Sequence, residues 1–109
     1  MERISEVITK TYQKYSPILR KLNISLDIDF PDTTLTIENK SRIEQSLDKS
    51  MRSAIKRSKN GRITIAVKSG KIILSDNGTI LSKNACDLLS SEHVKVKSRV
   101  GFGTTVIID

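Results

Sequence analysis

Two segments of the chain space their apolar residues three and four positions apart, which is the pattern of an amphipathic helix. The first segment extends from Ile4 to Leu22. Pro17 lacks a backbone donor, so we expect this helix to bend or restart there. The second segment begins with Ser41 and Glu44, which have the spacing of a capping box at a helix start. The apolar side of the first helix comprises Ile4, Val7, Ile8, Tyr15, Ile18, Leu19 and Leu22, and that of the second comprises Ile43, Leu47, Met51, Ala54 and Ile55.

A strand pair is predicted between the two helices. Residues 24–30 alternate apolar and polar side chains with the two-residue period of a strand that is buried on one face. Pro31 and Asp32 follow with turn chemistry. Residues 34–38 can then return as a short strand.

A hairpin is predicted after the second helix. Gly61 can adopt the left-handed conformation that ends a helix. Residues 62–68 and 71–75 are β-branched runs, and the Ser69 and Gly70 pair between them is typical of a tight turn.

The last third of the chain predicts a short helix and a second hairpin. Residues 82–90 have a helical pattern, and Ser82 can cap that helix. Its inward side chains are expected to be Ala85, Leu88 and Leu89. Residues 94–96 alternate valine with lysine, residues 99–103 turn, and residues 105–108 return as a strand.

The predicted order of elements is helix, strand pair, helix, hairpin, short helix, hairpin. Helices grouped in this way cover one face of a sheet. The predicted fold is therefore α+β, a two-layer sandwich of a mainly antiparallel mixed sheet with helices on one face. At 109 residues the chain has the length of a single domain, and we expect residues 1–109 to form one.

The charge balance is basic, with 19 Lys and Arg against 12 Asp and Glu and a formal net charge of +7. A basic surface attracts nucleic acid, anionic lipid or phosphorylated ligands. Two tyrosines, two phenylalanines and no tryptophan offer little aromatic surface for stacking on bases. A solvated basic surface without any such partner is the alternative.

Composition also excludes several classes of protein. No apolar run approaches the ~18 residues of a membrane span. The first residues interleave charge with single apolar side chains, unlike a secretory signal. Cys86 is the single cysteine, so the chain has no internal disulfide and no multi-thiolate metal site. We expect Cys86 to be a packed core thiol and the location to be cytoplasmic.

Three motifs occur in order within this succession of elements. Residues 42–47 (RIEQSL) lead into residues 53–58 (SAIKRS), residues 73–78 (ILSDNG) take a strand into a glycine turn, and residues 96–108 form the last hairpin. They resemble the N-box helix, the G1 box and the closing hairpin of the ATP-binding domain of sensor histidine kinases. The resemblance spans the whole chain and implies the fold of that family, the GHKL or Bergerat fold.

The resemblance implies an adenine site. Recognition of adenine requires an acceptor for its exocyclic amine and a neighbouring donor, which a buried carboxylate beside a hydroxyl provides. Asp76 and Thr104 match the family positions that supply them. Gly78 matches the glycine that lets the backbone approach the base. Asp-Asn-Gly is also a common loop sequence, so an ordinary turn is the alternative.

The phosphate end departs from the family pattern. Ser53 stands where the family has the asparagine that binds Mg²⁺, and its side chain is shorter. Lys49, one helical turn earlier, has a charge that repels Mg²⁺ and attracts a phosphate. Lys56 matches a family lysine that reaches the phosphates. We therefore expect ATP or ADP to bind weakly, with little dependence on Mg²⁺.

The segment that forms the lid in the family is also different. Only residues 77–102 separate Asp76 from Gly103, and none of residues 79–100 is a glycine. A glycine-rich anion cradle cannot form there, whereas phosphoryl transfer needs the γ-phosphate positioned and shielded from water. His93, the single histidine, does not match the family's acceptor position. The resemblance therefore implies little or no intrinsic phosphoryl transfer and leaves open whether the chain is an enzyme.

Three functions stay open on the sequence. The first is a weak adenine-nucleotide-binding domain. The second is a degenerate, non-catalytic scaffold that docks to a signalling protein, in the setting of two-component signalling. The third is a nucleic-acid-binding module, for which a solubilising helix surface is the ordinary alternative. The third would use Arg42, Lys49, Arg52, Lys56, Arg57, Lys59 and Arg62.

Overall fold

The computed structural model describes residues 2–29, 36–37 and 39–109, and the side chains of residues 3–29 and 39–109. The predicted turn at Pro31 and Asp32 lies outside the described residues. The helices are α1 (Ile4–Lys21), α2 (Lys40–Arg57) and α3 (Lys83–Leu89). The strands are β1 (Glu2–Arg3), β2 (Ser25–Asp29), β3 (Thr36–Ile37), β4 (Arg62–Lys68), β5 (Lys71–Asp76), β6 (Val94–Arg99) and β7 (Gly103–Ile108).

Five strands form the main sheet, in the order β2-β4-β5-β7-β6. The edge pair β2 and β4 is parallel, and the other neighbouring pairs are antiparallel. A parallel pair needs a long crossover, and α2 lies in the connection between β2 and β4. Among the described residues, the short strand β3 pairs with β1 and not with β2, so the predicted pairing of β2 with β3 is wrong. Together with the three helices of the described residues, this mixed sheet confirms the predicted α+β fold.

Alternation along the central strands produces the two layers. Every second residue of β4 and β5 is buried, and the residues between them are half-buried. The buried strand residues join the apolar sides of the helices in one core, so the helices cover one face of the sheet. The strands contribute Ile63, Ile65, Val67, Ile72, Leu74, Val106 and Ile108 to it, and α1 and α2 contribute Ile4, Val7, Ile8, Leu47, Met51 and Ala54.

The N-cap of α2 lies two residues before the predicted cap. Asn39 is the N-cap, and its side-chain oxygen accepts a hydrogen bond from the Arg42 amide at 3.3 Å. Ser41 lies inside the first turn, so the predicted capping box of Ser41 and Glu44 is wrong. Asparagine is at least as good an N-cap residue as serine. The helix begins at Lys40, directly after Asn39, so Asn39 occupies the N-cap position.

The end of α2 also differs from the prediction. The helix ends at Arg57, and the left-handed residue that follows is Asn60, with φ of 62°, rather than Gly61. Asparagine tolerates that conformation because its short polar side chain bonds locally. Gly61 is required for space, since a Cβ there would lie 2.6 Å from Asn77 Oδ1.

Three further local predictions have clear outcomes. Helix α1 is continuous through Pro17 and does not restart there. The β4–β5 turn is confirmed, with φ of 53° at Ser69 and 74° at Gly70. Ser82 caps α3 by accepting a hydrogen bond from the Ala85 amide at 3.1 Å, as predicted.

Leu88 is the exception in α3, because it is 85% exposed and its predicted inward orientation is wrong. The helix has only seven residues and turns Cys86 into the core, with Leu89 half-buried against it. Residues three apart share a helix face and residues two apart do not. With Cys86 and Leu89 facing the sheet, Leu88 lies at the exposed rim of α3, where it borders the cavity described below rather than the core.

A polar cluster around Asp48 joins α1 to α2. Lys14 Nζ lies 2.7 Å from Asp48 Oδ1, Arg52 Nη2 lies 2.6 Å from Oδ2, and the Tyr15 hydroxyl donates to Oδ1. The hydrogen bonds from Lys14 and Tyr15, helped by Arg52, lower the pKa of Asp48 from 3.8 to about 2. Burial, with the bond to Asp48, raises the pKa of Tyr15 to about 12.

We expect Asp48→Asn to lower the free energy of unfolding by about 1–2 kcal/mol at neutral pH, because the bonds from Lys14, Arg52 and Tyr15 lose their anionic acceptor. The folded-state pKa lies below the unfolded value, so this stabilisation is present above pH 3.8 and disappears as the pH falls towards about 2. Urea unfolding at pH 7 and at low pH measures both effects.

The matched control is Asp27→Asn, which removes a 3.4 Å contact with Arg62 between two exposed side chains. Such exposed pairs contribute little, so we expect a change below ~0.5 kcal/mol. A loss in Asp48→Asn that is no larger than in Asp27→Asn, or that does not shrink in acid, contradicts the role given to the Asp48 cluster.

Candidate functional site

Asp76 and Thr104 lie opposite each other at one end of β5 and β7. They are 3% and 0% exposed. The same alternation that buries Leu74 on β5 and Val106 on β7 places Asp76 and Thr104 on the helix-covered face. A carboxylate and a hydroxyl are therefore held side by side within the core layer.

The Asp76 carboxylate is compensated from within the chain. Its Oδ2 lies 2.8 Å from Arg57 Nη2 at the last residue of α2, and its Oδ1 accepts from the Gly78 amide at 2.9 Å. The Arg57 side chain is itself only 9% exposed. Arg57 Nη1 also donates to Ser53 Oγ, one turn back on α2. A buried charge is tolerated only when paired and hydrogen-bonded, and Arg57 provides that pairing.

A chain of hydroxyl contacts extends behind Asp76. Ser98 Oγ lies 2.8 Å from Thr104 Oγ1, and it accepts a hydrogen bond from the Leu81 amide at 2.9 Å. Ser98 and Thr104 are cross-strand partners on β6 and β7. These bonds attach the segment that follows Gly78 to the sheet, so this segment has a fixed position beside the carboxylate.

Two glycines are required by close contacts at this point. Gly78 approaches α2 so closely that a Cβ would lie 2.0 Å from the Arg57 carbonyl oxygen. Gly103 has φ of 87°, and a Cβ there would lie 1.9 Å from the Asp76 carbonyl oxygen. Both glycines therefore determine how near neighbouring backbone comes to Asp76 and Arg57.

We expect Gly103→Ala to destabilise the fold by at least ~2 kcal/mol more than Gly101→Ala. Both positions have positive φ, 87° at Gly103 and 85° at Gly101, so both alanine variants incur the same penalty of roughly 1–2 kcal/mol for a left-handed backbone. A Cβ at Gly101 meets nothing within 4 Å, whereas one at Gly103 meets the β5 backbone. Chemical denaturation of both variants measures the difference, and equal losses would show that the close contact has no energetic weight.

A cavity of about 190 Å³ opens between α2, α3 and the β6–β7 pair. One wall is polar and belongs mainly to α2, and the other is apolar. The polar wall comprises Ser46, Lys49, Ser50, Ser53 and Arg57, with Ser90 and Ser91 beyond α3. The apolar wall comprises Leu81, Leu88, Leu89, Val94, Val96 and Val106. The cavity can accommodate a small ligand that has an apolar part and a polar or anionic part.

The six residues predicted for the site separate into two groups. Lys49 and Ser53 line the cavity. The other four do not line it: Asp76 is bonded to the lining residue Arg57, Gly78 and Thr104 lie close to Asp76 in the chain and across the strand pair, respectively, and Lys56 is an exposed residue of α2.

Arg57 is the residue that sequence reasoning missed at this site, having been counted only in the basic set. It stands between the cavity and the carboxylate, since it lines the first and pairs with the second. Its spacing of eight from Lys49 and four from Ser53 places the three on one helix face. That spacing was a usable signal, but nothing local indicated the carboxylate that Arg57 would meet.

Structures of histidine-kinase catalytic domains match this chain over nearly its whole length. The catalytic domain of histidine kinase ThkA matches with a TM-score of 0.82 at 20% identity, over 98% of this chain and 93% of that one. The mycobacterial sensor histidine kinase MprB matches with a TM-score of 0.75 at 13% identity, over 97% and 92%. The chain has the histidine-kinase ATPase fold.

A third match at similar identity is the Acinetobacter baumannii histidine kinase AdeS, with a TM-score of 0.73 at 19% identity, over 99% of this chain and 65% of that one. No protein-family model and no curated protein sequence matches the chain. The likeness therefore establishes the ATPase fold, and it leaves the ligand to be argued from this chain's own residues.

The site of this ATPase fold does not suit Mg²⁺. No carboxylate lines the cavity, and the two charged side chains that do, Lys49 and Arg57, are cations. The Ser53 hydroxyl, at the position where the resemblance places the family's Mg²⁺-binding asparagine, accepts a hydrogen bond from Arg57. Among the described residues no group of three or more His, Cys, Asp or Glu side chains could hold a metal ion. Magnesium prefers carboxylate oxygens, whereas the side-chain oxygens that line this cavity belong to neutral serine hydroxyls beside two cations.

Several of the basic residues considered for nucleic acid have partners within the chain. Arg42 donates to the Asp109 carbonyl at 2.7 Å, and Arg52 and Arg57 pair with Asp48 and Asp76. The three lysines of the set, Lys49, Lys56 and Lys59, are exposed. The matched structures are those of histidine kinases, and nucleic acid is not supported as a partner. None of the helices in the described part of the chain is long and apolar enough to cross a membrane.

Proposed function

We propose that this chain is a histidine-kinase-type domain that binds an adenine nucleotide, ATP or ADP, weakly and transfers phosphoryl groups very slowly or not at all. One observation carries the proposal: the buried Asp76 carboxylate lies at the end of β5, beside the Thr104 hydroxyl and directly behind a cavity wall. A carboxylate accepts from an exocyclic amine, and a hydroxyl can donate to a ring nitrogen.

The two walls of the cavity fit the two ends of a nucleotide. The apolar wall, which includes Leu89 and Val96, suits the faces of a purine ring. The opposite wall offers Lys49 and Arg57 to the phosphates. Because these cations neutralise phosphate directly, we propose that binding does not depend on Mg²⁺.

Two features support weak binding. The cavity, at about 190 Å³, is smaller than the ~300–1,000 Å³ of typical small-molecule pockets. The base can reach Asp76 only when Arg57 releases it, and hydrogen bonds to charged groups contribute roughly 1.5–3 kcal/mol. That cost corresponds to a loss of about 10- to 150-fold in affinity.

The structure of the segment after Gly78 supports the absence of efficient phosphoryl transfer. Residues 83–89 and 94–99 of this segment form α3 and β6, packed on the sheet. A closing lid that shields a γ-phosphate needs a mobile, glycine-containing loop. His93 is about 43% exposed, pairs with Glu92 and does not line the cavity.

A second candidate function is docking to a signalling protein without nucleotide. The observation in its favour is the Arg57–Asp76 ion pair, which satisfies the carboxylate inside the chain. One of the similar structures is histidine kinase ThkA in complex with response regulator protein TrrA, with a TM-score of 0.75. A scaffold of this kind keeps the fold and uses its outer surface.

Calorimetric titration with ADP and ATP, with and without Mg²⁺, tests the proposal. We expect dissociation constants on the order of 0.1–1 mM that change less than about twofold with Mg²⁺. Asp76→Asn removes the anionic acceptor and should weaken binding at least ~10-fold, whereas Asp87→Asn on the exposed side of α3 should leave it unchanged. Absence of binding at millimolar nucleotide, in a folded protein, refutes nucleotide recognition and favours docking.

A further inference from the structure

We infer that Arg57 makes the site selective for phosphorylated adenine nucleotides over the free nucleoside, by covering the base-recognising carboxylate until a ligand anion accepts its guanidinium. The inference rests on the proposed function and adds the ligand class and the residue that selects it. Asp76, which should read the base, and Arg57, which should read the phosphate, are bonded to each other in the ligand-free chain.

The contacts of Arg57 show that it closes access to Asp76. Its Nη2 lies 2.8 Å from Asp76 Oδ2, its Nη1 donates to Ser53, and its side chain is 9% exposed. The Asp76 side chain is 0% exposed. Arg57 lines the cavity and Asp76 does not. A ligand that enters the cavity therefore meets the guanidinium before it can meet the carboxylate.

The closed arrangement leaves one donor of Arg57 unused. Arg57 Nε is buried and has no hydrogen-bond partner. An unsatisfied buried donor is costly, and guanidinium groups bind phosphate through two parallel N–H bonds. A phosphate in the cavity can offer Arg57 more acceptors than Asp76 and Ser53 do now. Movement of Arg57 from carboxylate to phosphate is therefore an exchange of partners rather than a loss.

A nucleoside cannot make that exchange. Adenosine has an amine for Asp76 but no anion for Arg57, so its binding would leave a guanidinium in a poorly solvated site without a counter-charge. ADP and ATP bring the counter-charge with them. Lys49, on the same wall, adds attraction for phosphate but bonds to no carboxylate in the described structure. Selection against the nucleoside is therefore assigned to Arg57.

The test compares the affinities of ADP and adenosine in the same buffer without Mg²⁺, by calorimetry or by NMR titration, for the wild type and Arg57→Gln. We expect the wild type to bind ADP at least ~30-fold more tightly than adenosine. In Arg57→Gln we expect the ratio to fall below ~5-fold, because adenosine gains affinity while ADP loses a phosphate contact. Lys68→Gln makes the same change in net charge at the far end of β4 and should keep the wild-type ratio.

The ratio of the two affinities is insensitive to a modest loss of stability, because both ligands see the same folded fraction. If Arg57→Gln fails to fold, Arg57→Lys replaces it. A lysine ammonium offers its donors from one nitrogen and lacks the fork by which Arg57 bonds Asp76 and Ser53 through two nitrogens, so adenosine should gain at least ~3-fold. Thermal unfolding in parallel identifies which variant is folded.

The outcomes separate the inference from the function on which it rests. Wild-type protein that binds ADP and adenosine equally well, or a ratio that is unchanged in the folded Arg57 variant, overturns the role of Arg57 and leaves nucleotide binding standing. Absence of binding by ADP and adenosine to both the wild type and the folded variant overturns both. Loss of selectivity in the Arg57 variant together with an unchanged Lys68→Gln supports the inference.

Discussion

The buried negative charge of Asp76 constrains how the end of α2 and the turn after β5 pack around it. A carboxylate at the end of a central strand, on the helix-covered face, must have its charge compensated where water cannot reach it. The last turn of α2 supplies Arg57, and the turn after β5 supplies the Gly78 amide. Both contacts with Asp76 require the turn after β5 to pack closely against the end of α2. The Thr79 amide donates to the Arg57 carbonyl at 3.0 Å, and Gly78 has no side chain that would block this contact.

With Arg57 beside Asp76, the charge of the cavity wall differs from that of a metal-binding site. A divalent cation favours anionic oxygen ligands, whereas the two charged side chains of the cavity wall, Lys49 and Arg57, are cations that repel it. Fixed cations can attract phosphate without a metal, but one of them is already neutralised by Asp76. Under the proposed function, the affinity for an anionic ligand depends on the free energy of the Arg57–Asp76 ion pair. Ligand binding and stability would then involve the same two side chains.

Helix α2 connects that site to the rest of the fold. One of its faces contributes Asp48 to the cluster that joins it to α1, and another contributes Lys49, Ser53 and Arg57 to the cavity wall. Its apolar side packs on the sheet through residues such as Leu47. Because α2 is packed on several sides, the position of Arg57 relative to β5 is fixed. The Asp48 cluster and the core thus position a side chain that neither of them contacts.

The amino-acid sequence by itself determined the elements that depend on periodicity and local turn chemistry. The alternation in β4 and β5, the paired turn at Ser69 and Gly70, and the Ser82 cap each involve neighbours within a few residues, so composition and spacing suffice. The order of those elements, with the ILSDNG segment and the last hairpin in their places, resembles the ATP-binding domain of histidine kinases, and that resemblance indicated the ATPase fold.

Tertiary structure decided what depends on partners distant in the chain. Whether Asn39 or Ser41 caps α2, and whether Leu88 faces inward, depends on how the helix meets the sheet. Above all, Arg57 and Asp76 are 19 residues apart and meet only because α2 packs over β5. The sequence led us to propose the Asp76 carboxylate as a ligand acceptor, but only the packed structure shows a guanidinium bonded to it, because the partner of a buried charge depends on which side chains the fold brings within reach.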